Sequence, residues 1–87
     1  MDHDELQRLL RQRPFQPMRV YVSDGRVYDI RYPRTSLLVP KFIKIGILEE
    51  GHTASNPRVH HGEYVRLDQI VRIELLPAEP PQVAEGA

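Results

Sequence analysis

The sequence predicts a mostly β protein, one N-terminal helix followed by a five-stranded, strongly bent small barrel. Three observations point there. A narrow leucine stripe occupies the opening residues, Asp24-Gly25 separates two runs of alternating apolar and polar residues, and Gly46 sits in the middle of a third run. Eighty-seven residues are enough for one small core, and the predicted domain spans 1–76.

Asp2 to Gln12 reads as an amphipathic helix, because Leu6, Leu9 and Leu10 recur on one face. Asp2 with Glu5 three residues on resembles a capping box, and Asp4 and Glu5 suit the positive helix end. Arg11 and Arg13 fall at the negative end, and Pro14 stops the helix. Met18 to Ser23 then alternates, with Met18, Val20 and Val22 on one face. Asp24-Gly25 is expected to supply a two-residue hairpin turn with positive φ, and Arg26 to Tyr32 returns. Pro33 and Pro40 bracket a short segment, Arg34 to Val39. The third strand is Lys41 to Leu48, with Ile43, Ile45 and Ile47 on one face; Gly46 implies a bend or a close backbone approach. Glu49 to Gly62 carries turn residues and reads as a long surface loop. Glu63 to Leu67 is the fourth strand. After a tight Asp68-Gln69 turn, Ile70 to Leu76 is the fifth, presenting Val71, Ile73 and Leu75 against Arg72 and Glu74. Residues 77–87, with three Pro and two Glu, read as a disordered tail.

Formal net charge is zero, 12 basic against 12 acidic residues, which counts against a free-standing cationic nucleic-acid binder. The charges are nonetheless unevenly placed. Seven Arg against two Asp lie between Arg8 and Arg34, and Arg outnumbers Lys ten to two, a balance suited to interfaces. The lack of cysteine excludes disulfides, thiolate zinc sites and thiol catalysis. No apolar run approaches the roughly 18 residues of a membrane span. The acidic start, Met-Asp-His-Asp-Glu, is unlike a signal peptide, so a cytoplasmic location without membrane association is expected. His52 and His60, in or beside the 49–62 loop, have the ligand chemistry for zinc or nickel, with Glu49, Glu50 or Glu63 as oxygen donors. Adjacent His60 and His61 would point to opposite sides of an extended chain. No phosphate-cradling, dinucleotide or metalloprotease motif occurs, and no hydroxyl–His–acid spacing. Neither catalysis nor a cofactor is expected.

Two stretches resemble bacterial Sm-like RNA chaperones of the Hfq type, whose fold is a small barrel behind an N-terminal helix. The first is Leu6-Gln-Arg-Leu9, Arg11-Gln-Arg13 and Pro17-Met-Arg-Val-Tyr21-Val-Ser-Asp24-Gly25-Arg. The second is Val65-Arg-Leu-Asp-Gln-Ile70-Val-Arg-Ile73, ahead of Pro77. Together they touch about half the chain. Where that family places a Lys-His pair at its uridine pocket, this sequence has Leu67 and Asp68, so the pocket is not carried over. A more continuous likeness runs from Pro14-Phe15 through Asp24-Gly25-Arg26 to Tyr28, Ile30 and Pro33. It matches short uncharacterised bacterial proteins that open P-F-x-P-F-x-I-x-L-x-D-G-R-x-Y-x-I-x-H-P and carry no known function. An SH3-like barrel shares the same element order, and the choice between the two barrel classes stays open.

The expected function is a self-associating barrel, with a ring as the leading form, acting as a protein-interaction or assembly module. The Sm-like resemblance implies subunit pairing between the fourth and fifth strands, here through Tyr64, Val65 and Arg66 against Val71, Arg72 and Ile73. The second reading is RNA or single-stranded DNA binding by an Arg/Tyr face of Arg11, Arg13, Arg19, Tyr21, Tyr28 and Tyr32.

Overall fold

Strand β1 (Met18–Val22) buries alternate residues, Met18, Val20 and Val22, as its sequence pattern requires. Around it the computed structural model, which describes residues 1–53 and 55–77, places helix α1 (His3–Arg11) and five further strands. These are β2 (Val27–Ile30), β3 (Ser36–Leu38), β4 (Phe42–Leu48), β5 (Val59–Arg66) and β6 (Ile70–Leu75). The strands therefore number six rather than five among the described residues. The extra strand is β3, which lies inside the Arg34–Val39 segment read only as bracketed by prolines and follows the 3-10 turn Pro33–Thr35. The predicted tail lies outside the described residues apart from Pro77.

Hydrogen bonding gives two antiparallel three-stranded sheets, ordered β2–β1–β6 and β3–β4–β5. No ladder joins one sheet to the other among the described residues, so the hydrogen-bonded strands do not form a single closed barrel. The sheets are held by their inner side chains. Met18, Val20, Tyr28 and Ile30 from one meet Ile43, Ile45 and Val65 from the other in one buried cluster, and Leu6 of α1 joins it. Asp2 caps α1 by accepting from the Asp4 amide at 3.2 Å. Leu9 and Leu10 pack half-buried against the cluster, so the leucine stripe is the docking face of the helix.

Three local features differ from expectation, each for a reason of register. The β1–β2 hairpin has a three-residue loop, Ser23–Gly25: the Val22 amide bonds Arg26 O, and the Gly25 amide bonds Val22 O, both at 2.9 Å. Only Gly25 there takes positive φ, +93°, so one glycine suffices where a two-residue turn would need a second left-handed residue. Strand β5 begins at Val59, leaving Glu49 to Arg58 as the loop and putting His60 and His61 on the strand. In β6 a bulge opposite Tyr21/Val22 breaks the alternation, so Val71 turns outward and is 64% exposed while Ile70 is buried.

The corner between β5 and β6 is a 3-10 turn, Leu67–Gln69. The buried Leu67 donates its amide to Lys41 O at 3.0 Å, and the Ser23 amide donates to Gln69 O at 2.8 Å. That one turn is bonded to both sheets. Gly46 fulfils its expectation of close approach: a Cβ there would lie 2.8 Å from Thr35 O and 3.1 Å from a Val59 methyl. Replacing Gly46 with Ala should therefore force β3 away from β4. The expected loss of stability is about 1–3 kcal/mol, read from the denaturant midpoint.

Candidate functional site

Residues directly opposite in an antiparallel pair share a sheet face, so the register assigns every side chain. On the outer face of β2–β1–β6 stand Arg19, Tyr21, Val27, Asp29, Arg72 and Glu74. This face neutralises itself. Arg19 grips Asp29 through two hydrogen bonds, 2.8 and 3.1 Å, which raise the guanidinium pKa further above its ordinary value. The Tyr21 hydroxyl donates to Glu74 at 2.6 Å, and the Arg72 guanidinium lies 4.0 Å from the Tyr21 ring centre.

The predicted Arg/Tyr face is thereby spread over separate surfaces. Arg19 and Tyr21 share the outer face just described, whereas Tyr28, paired with Val20, points inward and is buried. Tyr32 lies beyond the end of β2, edge-on to the His52 ring at 5.8 Å. Arg13 bonds the helix-end carbonyls of Leu10 and Gln12, at 3.1 and 2.9 Å, and Arg11 is exposed on the last turn of α1.

Tyr28 builds something else, a polar link across the seam between the sheets. Its hydroxyl donates to Glu63 Oε1 on β5 at 2.6 Å. Arg26 donates to the same hydroxyl at 2.8 Å and lies 3.5 Å from the carboxylate. His61 Nε2 meets Glu63 Oε2 at 3.0 Å. The Tyr28 hydrogen bond first, and that of His61 next, hold the Glu63 carboxyl below the ordinary carboxylate range. Burial first, and Glu63 next, push the Tyr28 hydroxyl above its ordinary value.

The metal candidates separate. His52 remains in the loop, its Nδ1 3.0 Å from Glu49 O, whereas His60 sits on β5. There the register shifts, Ile47 opposing His61 and Leu48 opposing Val59, so His60 is the bulged residue. The bulge swings two neighbouring rings together, and His60 Nδ1 and His61 Nδ1 meet at 2.7 Å instead of pointing apart. No group of three or more His, Asp or Glu among the described residues is arranged to hold a metal ion.

The expected pairing edges are strand edges. β5 and β6 each end their sheet, and Tyr64, at 62% exposure, and Val71 stand out from them. Val65 is core, and Ile73 packs against the core. Arg66 is clamped to Asp68 at 2.8 Å, beside the buried Leu67, so the pair at the Lys-His position of the resembled family builds the corner.

One surface was read only in its central strand, the outer face of β3–β4–β5. Its register brings together Leu37, Lys44 and Tyr64 in one row, Phe42 and Arg66 in the next, and Gly46 opposite Gly62. Phe42 and Tyr64 meet edge to face at 6.5 Å, and the Lys44 ammonium lies 5.5 Å from the Tyr64 ring centre. Alternation in β4, with Phe42 and Lys44 opposite the Ile43–Ile45 side, was the available signal. Its partners on β3 and β5 are visible only once the strands are paired.

No helix among the described residues is long and apolar enough to cross a membrane. Searches of family models, curated proteins and solved structures find no match to this chain.

The Tyr28–Glu63 link sets a pH dependence. Because the folded pKa of Glu63 is depressed, its contribution is present above the ordinary carboxylate range and lost as pH falls through the lowered value. Because that of Tyr28 is raised, its contribution is present below the ordinary tyrosine range and lost as pH rises through the raised value. Tyr28→Phe should cost about 1 kcal/mol at neutral pH and flatten the acid limb of stability against pH, both measured by urea unfolding.

Proposed function

We propose that the protein is a non-catalytic small β-barrel module of Sm-like or SH3-like type that associates with itself through its strand edges. The observation that carries this reading is the pair of sheet-terminal strands, β5 and β6, whose outer edges carry no ladder among the described residues, with Val71 exposed on β6. Such edges attract another strand unless they are covered, and neither strand contains proline. The barrel part of the reading is supported by connectivity. Only Arg31 to Thr35, with the 3-10 turn, separate β2 from β3, so the chain crosses from one sheet to the other in a short step. Taking β2 and β3 together around that turn gives the element order of a small barrel. A copy whose β6 pairs with the β5 of its neighbour satisfies both edges at once, and repetition of that contact closes a ring.

Native mass measurement at tens of micromolar, with and without nuclease, tests the proposal. A nuclease-resistant homo-oligomer is expected, and a strictly monomeric particle would overturn it. Val71→Lys places a charge on an already exposed position of β6, so the circular dichroism should not change. Association should weaken by about tenfold or more.

A further inference from the structure

The outer face of β3–β4–β5 takes no part in edge pairing, which uses backbone groups in the plane of the sheet. It is also chemically unlike its counterpart. The outer face of β2–β1–β6 matches two Arg with Asp29 and Glu74, whereas the paired positions of the β3–β4–β5 face include Lys44 and Arg66 and no carboxylate. Asp68 holds Arg66 from the rim, so Lys44 is the cation that stands over the sheet. Leu37, 58% exposed, Phe42 and Tyr64 supply apolar area around it. A trough of about 270 Å³ runs along this face, with Gly46 and Gly62 among its lining residues. Leu37 and Val59 wall it, and Arg34 and Lys44 line it. The Lys44 stem lies across Gly62, its Cε 2.4 Å from where a Cβ would be, so the glycine is what lets the ammonium reach over Tyr64.

We propose that this face docks an extended acidic segment of a partner protein, with one apolar side chain seated in the glycine-lined trough and a carboxylate on Lys44. Charge decides the occupant. A second copy offering the same face brings Lys44 and Arg66 but no carboxylate at its paired positions, so nothing on it answers the Lys44 charge. A nucleic-acid strand would meet Lys44 and Arg34, with Arg66 already held by Asp68, on a chain of zero net charge, with little attraction at long range. A short acidic segment needs only the local cation and the apolar trough. Aromatic side chains flanking a cation are also the composition of protein-docking surfaces.

Panning a random ten-residue peptide library on the folded protein tests this. The expected winners combine Asp or Glu with one large apolar residue. In fluorescence anisotropy, the best of them should bind about fivefold more weakly to Lys44→Met, which keeps the stem and removes the charge. It should bind about tenfold more weakly to Tyr64→Ser, an exposed position where the fold tolerates the change. Absence of any enriched peptide would overturn the proposal, as would winners lacking acidic residues or binding unmoved by both substitutions. Tighter binding of an oligothymidylate probe, lost in the same two variants, would also overturn it and assign the face to nucleic acid.

Discussion

Everything in this molecule depends on one layer of side chains. Met18, Val20 and Ile30 from one sheet and Ile43, Ile45 and Val65 from the other meet in a single buried cluster, closed by Leu6. Among the described residues no strand ladder ties the two sheets together, so their attachment is mainly through this layer. The layer also dictates what lies outside. Because side chains alternate, fixing the inner row fixes the outer one, and the surfaces available for recognition are by-products of the core register.

That dependence explains what the sequence disclosed. Burial of Met18, Val20, Val22, Ile43 and Ile45 was legible from alternation alone, as was the leucine face of α1. Gly46 was legible as a close approach because a glycine inside an apolar strand leaves few other reasons. The failures share a cause: a bulge shifts the period by one residue and leaves no mark in composition. Val71 was assigned to the inner row and is exposed, and His60 was assigned away from His61 and touches it. The predicted Arg/Tyr face gathered residues by proximity in sequence, yet Tyr28 and Tyr21 lie on opposite sides of their sheet. The Leu37–Lys44–Tyr64 row is the converse, three residues from three strands that only pairing unites.

Zero net charge acquires a spatial meaning in this arrangement. On one outer face Arg19 is paired with Asp29, and Glu74 accepts from the Tyr21 hydroxyl whose ring carries Arg72. At the seam, Arg26 and Glu63 cancel around the Tyr28 hydroxyl. The other outer face is left with cations and rings. A balanced sum is thus compatible with one polarised surface, and short-range chemistry rather than long-range attraction governs what that surface selects.

The 3-10 corner at Leu67–Gln69 has a mechanical consequence. It is hydrogen-bonded at once to Lys41, just before β4, and to Ser23, just after β1, which makes it a rivet between the two sheets. At the far end of β4, Gly46, Ile47 and Leu48 face Arg19, Asp29 and Arg31 across an open cleft of about 420 Å³. The Tyr28–Glu63 bond crosses the seam as a second tie. The sheets are therefore held at two separate places, at the corner by backbone bonds and beside the cleft by Tyr28, which lines it. Loss of the corner bonds would leave the side-chain layer and one polar hydrogen bond to keep the two sheets in register.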